Sequence, residues 1–530
     1  MTTYFDRRAF DRRAFDRRAL LRAGLLAVGG AALAGCSKQG DNGQTFVSPT
    51  GRQVSDTEAR RRPGTVRDFR LLAVEGPVDL GSRTVRTWTY GGALPGAAIR
   101  VKAGEVVRAR LINRLPQATT IHWHGMALRN DADGVPAVTQ DEIKAGADYL
   151  YQFTAPDPGT YWFHPHSGTQ LDRGLYAPLI VDDPHEPLSY DAEWIVILDD
   201  WLDGVTGNPD QVLAELRRGM GGMNMDDDSS GGGHDMPGME GMGSGTTPSP
   251  APRPTSHMLM GAESKLLGGD AGDVRYPHYL INGRTARAPQ TFKAKPGDRV
   301  RIRFINASGD TAFRVALAGH RMTVTHTDGF PVRPTLTDAL LIGMGERYDV
   351  IVTAKSGAFP LTALAEGKNA ATRAVLRTST PAPAPAANAR PSELDKKIVT
   401  YRDLHPADAV RLPTKQPDRT IRLELTGSMM KYDWAINGRR YDPKDLQPIR
   451  SGERVRLSFV NRTTMWHPMH LHGHTFALTA TGLRKDTAIV LPKTTLEADF
   501  DADNPGRWMI HCHNVYHQES GMMALLGYRT

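Results

Sequence analysis

Ten of the 18 histidines and one of the two cysteines stand at spacings that suit metal ligation. Eight of the histidines form four His-x-His pairs: His122 and His124, His164 and His166, His470 and His472, His511 and His513. On an extended strand residues i and i+2 share a face, so each pair presents two imidazoles in one direction. Imidazole suits Cu(II), and eight of them can hold three copper ions. Cys512 lies between His511 and His513, so its side chain leaves the strand on the opposite face and can serve a different metal. His517 follows Cys512 by five residues and Met522 by ten, and His467 precedes the third pair. Two imidazoles, one thiolate and a weak axial thioether make a blue-copper electron-transfer site. Cys512 then becomes a covalent bridge from that site to the imidazole cluster.

The elements that must position these residues are repeated along the chain. Val101–Asn113 recurs as Ala294–Asn306 and again over Ile449–Asn461, each time with Gly nine residues before Asn. The stretch reads as a turn followed by period-2 alternation of apolar and charged residues, which predicts a half-buried strand. A second element is shared by two copies, Leu280–Arg284 and Ala435–Arg439. Counting nine and eleven residues from the repeated Asn gives His122 and His124 in the first copy and His470 and His472 in the third. The same offsets in the second copy fall on Val315 and Leu317. At the far end of the unit, Gly159–His166 parallels Gly506–His513, with His five residues after Gly in both. The four pairs can therefore meet only across an interface between the first and third copies.

A chain of 530 residues predicts about three domains, and its Gly 53 and Pro 36 with few amphipathic helical stretches favour a β-rich architecture. The repeats place domain 1 at 66–186, domain 2 at 187–380 and domain 3 at 395–530. Residues 381–394, rich in alternating Ala and Pro, read as a stiff linker. Residues 37–65 read as a polar tether. Within domain 2, residues 219–261 hold Gly, Met, Asp and Pro with almost no β-branched residues, so no core is expected there. Met220, Met223, Met225, Met236, Met239, Met242, Met258 and Met260 put eight of 19 methionines into that insert. Thioethers prefer Cu(I), which makes the insert a candidate tether for cuprous ions, aided by His234 and Asp235.

The formal net charge of +7 gives no nucleic-acid footprint, because residues 1–22 carry seven Arg against three Asp and no basic stripe follows. Residues 1–36 read as an export segment. Phe15–Arg22 resembles a twin-arginine signal, and Phe-Asp-Arg-Arg-Ala occurs three times in tandem. The apolar run Ala23–Gly35 is shorter than the roughly 20 residues that span a bilayer. It leads into Leu33-Ala34-Gly35-Cys36, which looks like a lipobox. The expectation is twin-arginine export and a lipid anchor on Cys36 at the outer face of the cytoplasmic membrane. With Cys36 so used, no disulfide is expected in the mature chain.

Together, His-Trp-His-Gly at 122, His-Pro-His at 164, His-Pro-Met-His-Leu-His-Gly at 467 and His-Cys-His-x3-His-x4-Met at 511 resemble the multicopper oxidases. The resemblance runs from about residue 66 onward. It implies an all-β fold of three tandem cupredoxin-like Greek-key β-sandwiches, a monomer, and four copper ions. By position, His122 and His470 look like type 2 ligands. His124, His164, His166, His472, His511 and His513 look like the type 3 ligands, and His467, Cys512, His517 and Met522 the type 1 ligands. The activity implied is one-electron oxidation of a small reductant coupled to four-electron reduction of dioxygen to water. Asp-Gly-Val-Pro after the first motif, the lipoprotein signal and the Met-rich insert look most like bacterial copper-tolerance members of the actinobacterial kind. Cu(I) is the favoured reductant, with Fe(II) and phenols beside it. A general laccase and a copper-sequestering protein without turnover are the alternatives. Oxygen reduction consumes protons, and Asp133 and Glu519 match or neighbour the family's acidic positions. His474, His320 and His326 read as structural, and His185, His278 and His405 carry no motif.

Overall fold

The computed structural model describes residues 45–219, 256–379, 382–386 and 388–530. The predicted strands form for the predicted reason. Val106–Arg114 alternates buried and more exposed residues along its length and contributes Val107, Ala109 and Leu111 to the core of domain 1. That domain is a sandwich of two four-stranded sheets. One runs in the order Thr84–Tyr90, Val66–Asp79, Val106–Arg114, Asp148–Thr154. The other runs Ile99–Lys102, Ala177–Asp182, Gly159–His164, His122–His124. Trp123, Phe153, Phe163 and Leu179 fill the space between them. Domain 2 pairs a seven-stranded with a six-stranded sheet, and domain 3 a six-stranded with a five-stranded one.

The internal repeat is visible in the pairing. Each domain opens with a strand lying parallel to its repeat strand: Val66–Asp79 beside Val106–Arg114, Ala192–Trp201 beside Arg299–Asn306, and Arg419–Thr426 beside Arg454–Asn461. The repeated Asn has the same duty each time. Asn113 Nδ2 donates to the carbonyls of Gln117 and Ile143 (both 2.9 Å), Asn306 Nδ2 to Thr311 and Ile342 (2.9 and 3.0 Å), and Asn461 Nδ2 to Met465 and Val490 (2.7 and 3.1 Å). Each Oδ1 accepts the backbone N–H two residues on. The side chain thus satisfies buried backbone groups where the chain leaves one sheet for the other. It also fixes the start of the strand that carries the histidines, which explains why Asn serves as the origin for counting.

Three boundaries differ from expectation. The tether assigned to 37–65 is structured from Thr45: Phe46 bridges Arg529, Val47 N–H donates to Tyr528 O (2.8 Å), and helix α1 spans Arg52–Arg60. The helix buries Val54, Thr57 and Glu58, and the Glu58 carboxylate accepts from Thr154 N (2.6 Å) and Oγ1 (2.7 Å). A polar sequence could enter a core because its one buried charge finds hydrogen-bond donors there. The Pro/Ala linker, among its described residues, leads into Leu394, which packs on Ala316 and Ala339 of domain 2. Ile398–Val399 extends the domain 2 sheet beside Ala339–Ile342, so the domain 3 sandwich begins at Arg419 instead of 395. The insert follows helix α2 (Pro209–Arg218) and also ends sooner than 261. Met258 is buried and bridges Val274, while Met260 is 53% exposed. The remaining six insert methionines, His234, Asp235 and the export segment with Cys36 lie outside the described residues.

Candidate metal centre

Strand register brings the four pairs together. His122 sits opposite His164 in domain 1, and His470 opposite His511 in domain 3. Both sheets turn these faces toward the contact between domains 1 and 3. Three trios result, each with its ligand atoms within 4.8 Å of one another: His122, His124 and His470; His124, His164 and His513; His166, His472 and His511. All three trios mix residues of both domains: two join a pair of domain 1 imidazoles to one from domain 3, and the third joins His166 to two domain 3 imidazoles. In domain 2 the matching positions, Val315 and Leu317, are core residues.

The proton inventory of these rings requires a cation. His472 Nδ1 donates to Asp133 Oδ2 (2.9 Å) and His511 Nδ1 to the Cys512 carbonyl (3.0 Å). Both Nε2 atoms are then lone-pair acceptors, yet they face each other at 3.1 Å. His122 Nδ1 donates to the Asp133 carbonyl (3.0 Å) and His470 Nδ1 to the Asp486 carbonyl (2.9 Å). Their Nε2 atoms again oppose one another, at 3.4 Å. His164 Nε2 and His166 Nε2 are buried with no hydrogen-bond partner. Converging lone pairs in a dry site repel one another unless a metal ion lies between them.

The second site occupies the other face of the same strand. Cys512 Sγ is 3.7 Å from His467 Nδ1 and 3.6 Å from His517 Nδ1, and the two nitrogens are 3.1 Å apart. His467 Nε2 is held by Thr463 Oγ1 (2.8 Å) and His517 Nε2 by Asp273 Oδ2 (2.9 Å). The short helix α3 (Val515–Ser520) presents His517. The Asn514 side chain caps it, accepting from Tyr516 N (3.0 Å) and His517 N (3.3 Å). Met522 is buried, and its backbone bonds to both Cys512 and His517 at 3.1 Å.

Family models described as multicopper oxidase match residues 75–186, 250–381 and 414–529. The chain is 49% identical over 477 residues to Multicopper oxidase MmcO of Mycobacterium tuberculosis, covering 89% of this chain and 88% of that protein. The chain belongs to the multicopper oxidase family. It is also 30% identical to a Copper resistance protein A homolog of Pseudomonas syringae pv. tomato, over 86% of this chain and 91% of the relative. The crystal structure of Fet3p, a multicopper oxidase that functions in iron import, superposes with a TM-score of 0.70 at 20% identity, covering 87% and 90% of the two chains. Like other multicopper oxidases, the protein is a copper-dependent oxidoreductase that uses dioxygen as acceptor.

The electrostatics suit that metal. Burial pushes His124, His164, His467, His472, His511 and His513 well below the ordinary histidine value, and neighbouring imidazoles add to it. His470 is lowered too, and His166 falls to about 3. These rings are neutral at pH 7, the form that binds copper. At His517 burial acts the same way but is outweighed by Asp273 and Cys512, which raise it to about 10.

The two acids named from sequence part company. Asp133 is buried between both domains: Oδ2 accepts from His472, and Oδ1 lies 3.2 Å from His122 Nδ1. Glu519 stands at the end of α3, where its carboxylate accepts from Gln518 Nε2 (3.1 Å) and its carbonyl from Arg217. Among the described residues its carboxylate bonds to no cluster imidazole. Burial raises it above the ordinary carboxylate value. His474, read as structural, stacks on Tyr528 and bonds its hydroxyl (2.7 Å). Sequence reading missed Asp486, Thr487, Thr463 and Asp273, which fix the rings through their far nitrogens. No periodicity marks them. The one available hint is that Asp273 follows the Met-rich insert closely.

Proposed function

We propose that the protein is a cuprous oxidase serving copper tolerance, with four coppers held by the residues named above. His122 and His470 hold the type 2 ion. His124, His164 and His513 hold one type 3 ion, and His166, His472 and His511 the other. His467, Cys512 and His517 would hold the type 1 ion, with the buried Met522 as a further candidate ligand. The observation that carries this reading is the opposition of lone pairs across the domain 1 and 3 contact, beside a buried thiolate on the same strand. Bound copper would supply the redox chemistry, passing single electrons from a reductant to dioxygen, which takes four.

The chain's own residues do the rest. Asp133 holds the His472 ring and lies against His122, which also makes it the nearest acid able to hand protons to the cluster. Cys512 joins the two sites through its backbone and the flanking His511 and His513. Asp273 anchors His517 at the side where the Met-rich insert returns, since Leu259 N–H donates to Asp273 O (2.8 Å) and Met258 bridges Val274. That connection supports Cu(I) as the reductant, and so do relatives named for copper resistance. Fe(II) and phenols are secondary substrates. The chain acts as a monomer, exported by the twin-arginine route and anchored through Cys36. A Cys36→Ser variant found in the soluble fraction would bear out the anchor, and one still sedimenting with membranes would remove it.

The test of the substrate is oxygen uptake by copper-loaded protein with Cu(I), Fe(II) and a phenol, comparing the full chain with a deletion of 220–255. Cu(I) turnover fastest in the full chain and selectively slowed by the deletion supports the proposal. Dominant phenol turnover, with Cu(I) oxidation unaffected by the deletion, replaces it with a general laccase.

A further inference from the structure

Domain 2 carries no histidine pair, yet one of its loops lies directly on the cluster. A Cβ on Gly345, at φ +80°, would stand 2.9 Å from the His513 ring and 3.0 Å from that of His124. Two residues on is Arg347, fully buried. Its guanidinium grips both oxygens of Asp486 in domain 3, Nη1 to Oδ1 at 2.7 Å and Nη2 to Oδ2 at 2.6 Å. Its Nε donates to the Thr160 carbonyl of domain 1 at 3.1 Å. One side chain therefore touches all three domains.

Asp486 passes this geometry to the cluster. Its Oδ1 accepts from His124 Nε2 (3.2 Å) and from Thr487 Oγ1 (2.8 Å), and its carbonyl accepts from His470 Nδ1 (2.9 Å). Asp328 of domain 2 secures the same strand from behind, with Oδ2 taking the N–H groups of Asp486 and Thr487 at 3.2 Å each. The arrangement also explains the glycine of His-Trp-His-Gly. A Cβ on Gly125 would lie 2.3 Å from Arg347 Nη2 and 2.6 Å from Asp486 Oδ2, so any larger residue would displace the pair.

We propose that Arg347 is a positioning residue through which domain 2 sets the orientation of His124 and His470, acting by way of Asp486. A planar fork fixes the plane of the carboxylate, which a lysine's point charge cannot do. Without it the Asp486 carboxylate is free to turn toward other donors, and His124 Nε2 loses a defined acceptor. The inference rests on the trios being copper sites. That reading fails separately if the unaltered copper-loaded protein shows copper at the thiolate site only.

The experiment compares copper-loaded Arg347→Gln, Arg347→Lys and Asp486→Asn with the unaltered protein. It reads copper per chain, the paramagnetic resonance of the type 2 ion, the near-ultraviolet absorption of the type 3 pair and the visible thiolate band. Arg347→Gln and Asp486→Asn are expected to weaken cluster copper roughly 10–100-fold. Both should alter the type 2 spectrum while leaving the thiolate band unchanged, with Arg347→Lys falling in between. Unchanged cluster signals in folded Arg347→Gln would overturn the proposal. Parallel loss of the thiolate band and the cluster would also overturn it, since the arginine would then serve the fold as a whole. Should Arg347→Gln fail to accumulate, Arg347→Lys decides: an altered type 2 spectrum upholds the proposal, and an unaltered one ends it.

Discussion

Domains 2 and 3 share the repeat strand, the Asn that staples it and the parallel partner beside it, yet they are stabilised in different ways at the equivalent place. Domain 3 fills the strand with His470 and His472 and needs a metal to reconcile their lone pairs. Domain 2 fills it with Val315 and Leu317 and needs nothing. Its polar residues are spent at the margins, where Arg301, Arg303, Asp328, Glu346, Arg347 and Asp349 are all buried. The domain whose repeat strand carries no histidine pair braces the two domains whose strands do.

The sharpest way to break this contrast is Cys512→Ser. It should abolish the thiolate band and reduce turnover to background while copper remains in the histidine trios. Retained turnover would show that Cys512 is not the route between the sites. Next in size is Asp349→Asn in domain 2. Asp349 takes Arg301 at 2.6 Å, Arg303 at 3.0 Å and, from domain 1, Thr160 Oγ1 at 2.7 Å. Removing its charge leaves two arginines short of a partner inside the protein, at a cost of about 3–5 kcal/mol in denaturant unfolding. The copper spectra should stay as they were, and a spectral change would mean the bracing is not separable from the metal sites.

Acid should expose the same ion pairs. Burial pushes the Asp349 carboxyl up, but Arg301 and Arg303 prevail and hold it at about 2. Its folded value thus lies below its unfolded one. The stabilisation is complete above about pH 4 and is lost as pH falls toward 2, roughly 2–3 kcal/mol in all. Asp486, held low by Arg347 against its burial, adds in the same direction. Unfolding free energies across that window should fall more steeply for the unaltered chain than for Asp349→Asn. Equal slopes would remove Asp349 from the account.

The smallest effect separates the two domains most cleanly. Asn306→Ala and Asn461→Ala each strip two equivalent buried carbonyls of a donor, so each should lose about 1–3 kcal/mol. Only Asn461→Ala should also shift the thiolate band, because Asn461 Oδ1 holds Thr463, whose hydroxyl fixes His467. A shift in both would mean that the staple in domain 2 also governs the metal site.

The clustering of the four histidine pairs, and of Cys512 with His467 and His517, was legible in the sequence because strand alternation and an internal repeat both act over short distances. Neither signal reaches Asp486, Arg347 or Asp273. Their role depends on how one sandwich docks on another, and a lone acid or arginine on a strand looks the same in either arrangement. Helix α1 was hidden for a related reason. Its buried face includes Glu58, which reads as a solvated residue until the donors of Thr154 are brought to it from nearly a hundred residues away. The family resemblance offers Glu519 because it neighbours an acidic position, but α3 leaves its carboxylate accepting from Gln518 Nε2 and its carbonyl from Arg217.

The pairing of Phe46 and Val47 with the strand that ends at Tyr528 bears on how the molecule is made. A nascent chain presents the first of these partners almost at once and must then wait through the synthesis of all three sandwiches for the second. That second partner arrives just after Met522, so closing the strap and finishing the thiolate site fall in the same late interval. A chain whose strap is closed has therefore been made past Met522, with His467, Cys512, His517 and Met522 all available to one another.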